Sequence, residues 1–123
     1  MEGAEAGWAT ATGMAAIFST FGALLSQGDH VLACRSVFGS THNILTKILP
    51  SWGIETTFVD FDDTENWDKA VRKNTRLIFV ETPTNPGVDI IDLKWLGEFS
   101  SAYHLINVVD NCFPIPYLQQ PIK

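Results

Sequence analysis

The order of apolar runs along the chain constrains its fold more than any other feature. Short runs of β-branched and aliphatic residues alternate almost strictly with stretches whose apolar residues recur at helical spacing. Parallel strands need a crossover between them, and a helix supplies it. The alternation therefore predicts an α/β fold, a parallel sheet with helices on its faces.

Each element has its own signal. Gly7–Thr10 reads as a short first strand. Met14, Ile17, Phe18, Phe21, Leu24 and Leu25 recur on a helix, with Gly28 as its expected stop. His30–Ala33 reads as a strand. Ser40 or Thr41 is the expected cap of a helix carrying Ile44, Leu45, Ile48 and Leu49, bracketed by Pro50 and Gly53. Glu55–Val59 is a strand rich in Thr, Phe and Val. Thr64 is placed to cap a short helix with Trp67, Ala70 and Val71. Leu77–Val80 is a continuous apolar strand, and ETPTNPG at 81–87 is a loop, because its prolines and glycine oppose regular structure. Asp92 caps a last helix with Leu93, Leu96, Phe99 and Tyr103. Leu105–Val109 forms the final strand, and FPIPY makes an irregular exit. No repeat or linker divides the chain, so its 123 residues read as one domain.

Charge narrows the partners. Fourteen acids against eight bases give a net charge of −6, which argues against nucleic acid or an anionic membrane as the main partner. Residues Ala6–Gln27 are nearly uncharged but rich in Thr, Gly and Ser, and read as a buried element rather than a membrane span. Met1-Glu2-Gly3 lacks the basic region of a signal peptide. Cys34 and Cys112 form neither a disulfide framework nor a metal cluster; reduced thiols in a cytoplasmic protein are the expectation.

Ligands of parallel α/β sheets collect beyond the carboxyl ends of the strands. Thr12-Gly13-Met14 opens a helix there, and free N–H groups with the helix dipole suit either a simple N-cap or an anion such as phosphate. Asp110 ends an apolar strand. It is either the cap of the following turn or the counter-ion of a bound cationic ring; with no second carboxylate or histidine cluster beside it, a metal is not expected. Phe38 reads as a core residue or as the cover of a flat ligand. Asn85, between two prolines, either satisfies its own turn or faces the site. His30, His42 and His104 have no nucleophile at triad spacing and read as surface or structural.

Four segments together carry a resemblance that no single motif does. EGAEAGWATATGMAAI, SVFGSTHNILTKILPSWGIETTFVD, LIFVETPTNPGVDIIDL and VVDNCFPIPYLQQPIK resemble the Cys/Met-metabolism family of pyridoxal-phosphate (PLP) enzymes, in family order and over essentially the whole chain. The resemblance implies part of the large domain of a fold-type I (aspartate-aminotransferase-like) enzyme. It implies that Gly13 and Met14 offer N–H groups to the cofactor phosphate and that Phe38 stacks on the pyridine ring, where many members have Tyr. It also implies that Asp110 pairs with the protonated ring nitrogen, and that Asn85 lies near the cofactor O3′ and the substrate carboxylate. The implied reaction is γ-replacement, in which sulfide displaces succinate from a homoserine ester to give homocysteine. Ser40 stands where methionine γ-lyases typically carry Cys, which weighs against elimination. The small-molecule partners implied are an amino-acid ester and sulfide, and the implied assembly is a homotetramer in the cytoplasm.

The same resemblance implies that residues 1–123 are an incomplete PLP-binding large domain. The family's Schiff-base lysine, an N-terminal Tyr-x-Arg segment and the C-terminal domain are expected outside it, as are two strands that would flank Gly7–Thr10. Three alternatives stay open: cystathionine γ-synthase/γ-lyase or acetyl-ester sulfhydrylase chemistry of the same family, a truncated non-catalytic interaction module, and a different α/β nucleotide or phosphate binder, which would need only the Gly13-Met14 helix start and leaves Asp110 without a role.

Overall fold

The computed structural model describes residues 2–123. Four parallel strands form its sheet: β1 (His30–Cys34), β2 (Glu55–Val59), β3 (Thr75–Glu81) and β4 (Ile106–Asp110). They lie in the order β2-β1-β3-β4. The register pairs His30 with Glu55, Leu77 with Ile106, and Glu81 with Asp110. The chain leaves β1 toward one edge for β2, then crosses to the other side for β3 and β4. Strand order thus reverses between β1 and β3, the place where open α/β sheets keep their ligands.

Helices cover both faces. The helix α1 (Gly13–Leu24) precedes the sheet. A continuous helical run of α2 (Gly39–Asn43), a π-helical stretch (Ile44–Ile48) and α3 (Leu49–Ser51) joins β1 to β2. The helices α4 (Thr64–Ala70) and α5 (Leu93–Tyr103) make the other two crossovers. Side chains alternate across a strand, and the cores alternate with them. Val31, Ala33, Leu77 and Phe79 pack with Phe21 of α1 and Leu45 and Leu49 of the helical run. Leu32, Cys34, Ile78 and Val80 pack on the opposite face with Trp67 of α4 and Leu96 of α5. All eight of these strand residues are fully buried. At roughly 1.5–3 kcal/mol per large aliphatic side chain, the two strands β1 and β3 carry much of the driving force.

The element order and type match the sequence reading from Met14 to Asp110, with strand ends shifted by one or two residues, so that Glu81, read as loop, ends β3 and Asp110 ends β4. Other differences are local. Residues 7–10 form no strand; they are exposed and pair with no described residue, so their apolar character has no sheet to join. The first helix ends at Leu24 with Leu25 as cap, and Gly28, at φ +92°, shapes the next turn instead. The helix after β1 starts at Gly39, capped by the Phe38 carbonyl, which accepts the His42 N–H at 2.9 Å; Ser40 and Thr41 lie inside it. Likewise Asp63, not Thr64, precedes the first residue of α4. Finally, Pro50 sits within the last helical turn rather than after it. Its ring crowds the carbonyl four residues back, and the widened π stretch ahead of it gives that carbonyl room. Asp92 caps α5 as expected, accepting the Lys94 and Trp95 N–H groups at 2.9 and 3.1 Å.

The histidines are structural or at the surface. His42 stacks on Phe58. His104 takes the left-handed conformation that ends α5. His30 is fully buried at the start of β1, the edge away from the strands' carboxyl ends. Its Nδ1 bonds Thr75 Oγ1 and its Nε2 bonds Thr57 Oγ1, both at 2.8 Å, so one ring ties three strands together. Burial pushes its pKa down to about 4; the nearby Arg72 guanidinium adds to this, and Glu55 opposes it.

Candidate functional site

Beyond the carboxyl ends of the strands lies a cleft of about 510 Å³. Gly13, Met14, Phe38, Asn85 and Asp110, the residues singled out from the sequence, all line it. They come from four separate stretches of chain, gathered by the reversal of strand order between β1 and β3.

The start of α1 forms one wall. Thr12 Oγ1 accepts the Ala15 N–H at 3.0 Å, and the Thr12 carbonyl accepts that of Ala16 at 3.1 Å. The N–H groups of Gly13 and Met14 lie in the first turn, where a helix offers them no carbonyl of its own. The N-cap and the anion site are therefore compatible. A Cβ built on Gly13 would meet no atom within 4 Å, so the glycine leaves the backbone open to approach.

The strand ends form the floor. Phe79 and Glu81 of β3, and Val108 and Asp110 of β4, line the cleft on the face that α1 covers. Asp110 is half-buried, and its Oδ1 accepts the Cys112 N–H at 3.1 Å. One oxygen thus caps the turn, and Oδ2 has no hydrogen-bond partner among the described residues. The turn-capping reading is thus observed, and it leaves Oδ2 available to a ligand. Next to it, Asn111 Oδ1 is buried without a partner. The Phe38 ring is 43% exposed at the cleft mouth and is not a core residue. The Asn85 side-chain amide bonds no described residue, so the turn around it is satisfied by other groups.

Those groups belong to Glu81, which sequence reasoning missed. Glu81 Oε2 accepts the Phe38 N–H at 2.7 Å, and Oε1 accepts the Asn85 N–H at 2.9 Å. Its residue is 5% exposed. Burial raises its pKa; the two N–H groups oppose that, and the neighbouring Asp110 carboxylate adds to it. The sequence did hold a signal. Leu77 and Phe79 share one face of β3, and period two puts Glu81 on that face, just as Val108 leads to Asp110.

The cysteines are free. Burial, with Asp60 adding, pushes the Cys34 thiol up to about 12, which makes it inert at neutral pH. Among the described residues no group of His, Cys, Asp and Glu is arranged to hold a metal ion, and no helix is long and apolar enough to cross a membrane.

The lining is compatible with a ligand that has an anionic group for the helix start, a flat ring for the aromatic and a cationic ring atom for the carboxylate. Comparison with known proteins bears on the family. The chain is 46% identical over 120 residues to the O-succinylhomoserine sulfhydrylase of Mycobacterium tuberculosis, covering 98% of this chain and 30% of that protein. It superposes on the cystathionine gamma-lyase of Lactobacillus plantarum, solved with L-serine, with a TM-score of 0.94 and 36% identity over 98% of this chain and 32% of that one. It also superposes on an O-acetylhomoserine (thiol)-lyase of Campylobacter jejuni whose structure holds N′-pyridoxyl-lysine-5′-monophosphate. There the TM-score is 0.86, with 32% identity over 90% of this chain and 28% of that one. The chain thus spans about 30% of the length of the relatives it matches. The family described as "Cys/Met metabolism PLP-dependent enzyme" matches residues 1–123. The fold, the cleft chemistry and the whole-chain match lead to one conclusion: the chain belongs to the Cys/Met-metabolism family of PLP-dependent enzymes.

Proposed function

We propose that this cleft is the cofactor cradle of a sulfhydrylase that replaces the succinyl group of O-succinylhomoserine with sulfide to give homocysteine. The observation that carries the reading is the convergence of Gly13, Met14, Phe38, Asn85 and Asp110 on one cleft. Pyridoxal phosphate, when bound, supplies an electron-withdrawing pyridinium that stabilises negative charge at the substrate Cα. The chain's residues do the holding. The Gly13 and Met14 N–H groups, at the positive end of α1, bind the phosphate. The Phe38 ring stacks on the pyridine face. Asp110 Oδ2, the oxygen its own turn leaves unpaired, keeps the ring nitrogen protonated by charge. The free side-chain amide of Asn85 orients the ring hydroxyl and the substrate carboxylate.

No lysine lines the cleft among the described residues. Residues 1–123 are read as the cofactor-cradling part of a larger PLP-binding domain, in keeping with their span of about 30% of the mycobacterial relative. The ester is the finer part of the reading. It rests on the identity to the mycobacterial sulfhydrylase and on Ser40. The alternatives within the family are cystathionine γ-synthase/γ-lyase chemistry, which the likeness to the lactobacillar lyase favours, and acetyl-ester chemistry, which the likeness to the Campylobacter (thiol)-lyase favours.

Products separate these. The native protein, given O-succinylhomoserine and sulfide, is expected to release homocysteine and succinate; release of a 2-oxo acid and ammonia instead would assign it to elimination. Asp110→Asn is expected to cut turnover about 100-fold or more while PLP still binds. Unchanged turnover in that variant would remove the role given to Asp110.

A further inference from the structure

We propose that Glu81 is a positioning residue of the cleft: its carboxylate clamps the Phe38 loop and the Asn85 loop to the end of β3, and so sets the gap that receives the cofactor ring. The inference rests on the reading of the cleft given above and extends it to a residue that touches neither ring nor phosphate.

Three observations carry it. The two oxygens of Glu81 divide the work, Oε2 taking the Phe38 N–H and Oε1 the Asn85 N–H. The first of these bonds crosses from the loop after β1 to the end of β3, over the place where strand order reverses. The Glu81 carboxylate also makes no ion pair among the described residues; Arg35, in the same loop as Phe38, pairs outward with Asp60 at 3.0 Å. A buried carboxylate without a cation is costly unless strong donors hold it, and among the described residues its only donors are the backbones of two cleft residues. Neither loop has regular structure to fix it. The Phe38 loop precedes α2, and the Asn85 loop contains Pro83, Pro86 and Gly87. The β3–β4 register, with the Thr82 N–H donated to the Asp110 carbonyl at 3.1 Å, fixes Glu81 beside Asp110. The clamp therefore sets the aromatic cover and the amide relative to the carboxylate that faces the ring nitrogen.

Glutamine separates positioning from bulk. In Glu81→Gln the amide oxygen still takes one N–H, but the amide NH2 confronts the other and leaves it unpaired. In the native protein, freed of cofactor and titrated with PLP, the variant is expected to raise Kd about tenfold. It is also expected to change the circular dichroism induced in the cofactor's visible band, which reports ring orientation. If Glu81 acts through Phe38, the pair Glu81→Gln and Phe38→Ala will be non-additive in PLP affinity. Wild-type Kd and dichroism in Glu81→Gln, or strict additivity, would overturn the clamp while leaving the cleft reading intact. A second measurement needs no variant: amide hydrogen exchange at Phe38 and Asn85 in the cofactor-free native protein. Protection of both supports the clamp, and exchange at the rate of free loops overturns it. Failure of the wild type itself to bind PLP would overturn the cleft reading, and the inference with it.

Discussion

Two carboxylates end adjacent strands here, and their surroundings divide their tasks. Asp110 spends one oxygen on its own turn and keeps the other free, whereas Glu81 spends both on backbone N–H groups of the cleft loops. Asp110 was legible because an acid closing an apolar run is conspicuous. Glu81 was missed, because it opens a loop-like string of prolines; its period-two place after Leu77 and Phe79 counts only once the pairing shows it to be the last residue of β3. His30 shows the same limit at the other end of the sheet. Its sequence neighbourhood does not reveal that it is buried between Thr57 and Thr75. Its folded pKa of about 4 lies below the ordinary 6.5, so between these values the unfolded chain binds a proton that the folded one does not. Stability is therefore full above about pH 6.5 and is lost as pH falls toward 4, by on the order of 3 kcal/mol. Urea unfolding between pH 4 and 7 is expected to show this slope in the native protein and to lack most of it in His30→Gln. An equal slope in both would assign the acid sensitivity to other groups.

Among the elements, α1 joins stability to binding. Thr12 is its cap and the neighbour of its free N–H groups, so Thr12→Ala is expected to cost about 1 kcal/mol through the lost bond to Ala15. Denaturant midpoints of cofactor-free protein measure that cost, and a change below a few tenths of a kcal/mol would contradict it. The helices were legible in the sequence where a strong periodic face existed, and less so at their ends. Ser40, Thr41 and Thr64 are good capping types, yet none caps in the folded chain. Their helices begin where the preceding strand and loop deliver the backbone, and that is set by packing. The cap of α5 was read correctly because Asp92 stands directly before the first apolar residue of its helix.

At the scale of the molecule, three layers bury all of β1 and residues 77–81 of β3 but leave other apolar groups in solvent. Trp8 is 93% exposed, Tyr117 90% and Leu118 74%. Exposed apolar surface of this kind drives association. The 123-residue chain by itself is expected to self-associate, which sedimentation over a range of concentrations would reveal. A monodisperse monomer with a cooperative, high thermal transition would contradict this. With no lysine lining the cleft among the described residues, the same chain alone is expected to give no sulfide-dependent homocysteine; detectable formation would refute the division of labour proposed here.

The sequence alone determined the layered architecture, because helical and strand periodicities are local properties and their alternation permits few topologies. It also carried the family resemblance, through four segments that stand in family order along the chain. Tertiary structure alone decided the order β2-β1-β3-β4, the loss of a strand at 7–10, and the role of Glu81. Each of these depends on which distant segments meet. Glu81 bonds Phe38 across 43 positions of sequence, and no local pattern of side chains encodes a partner that far away.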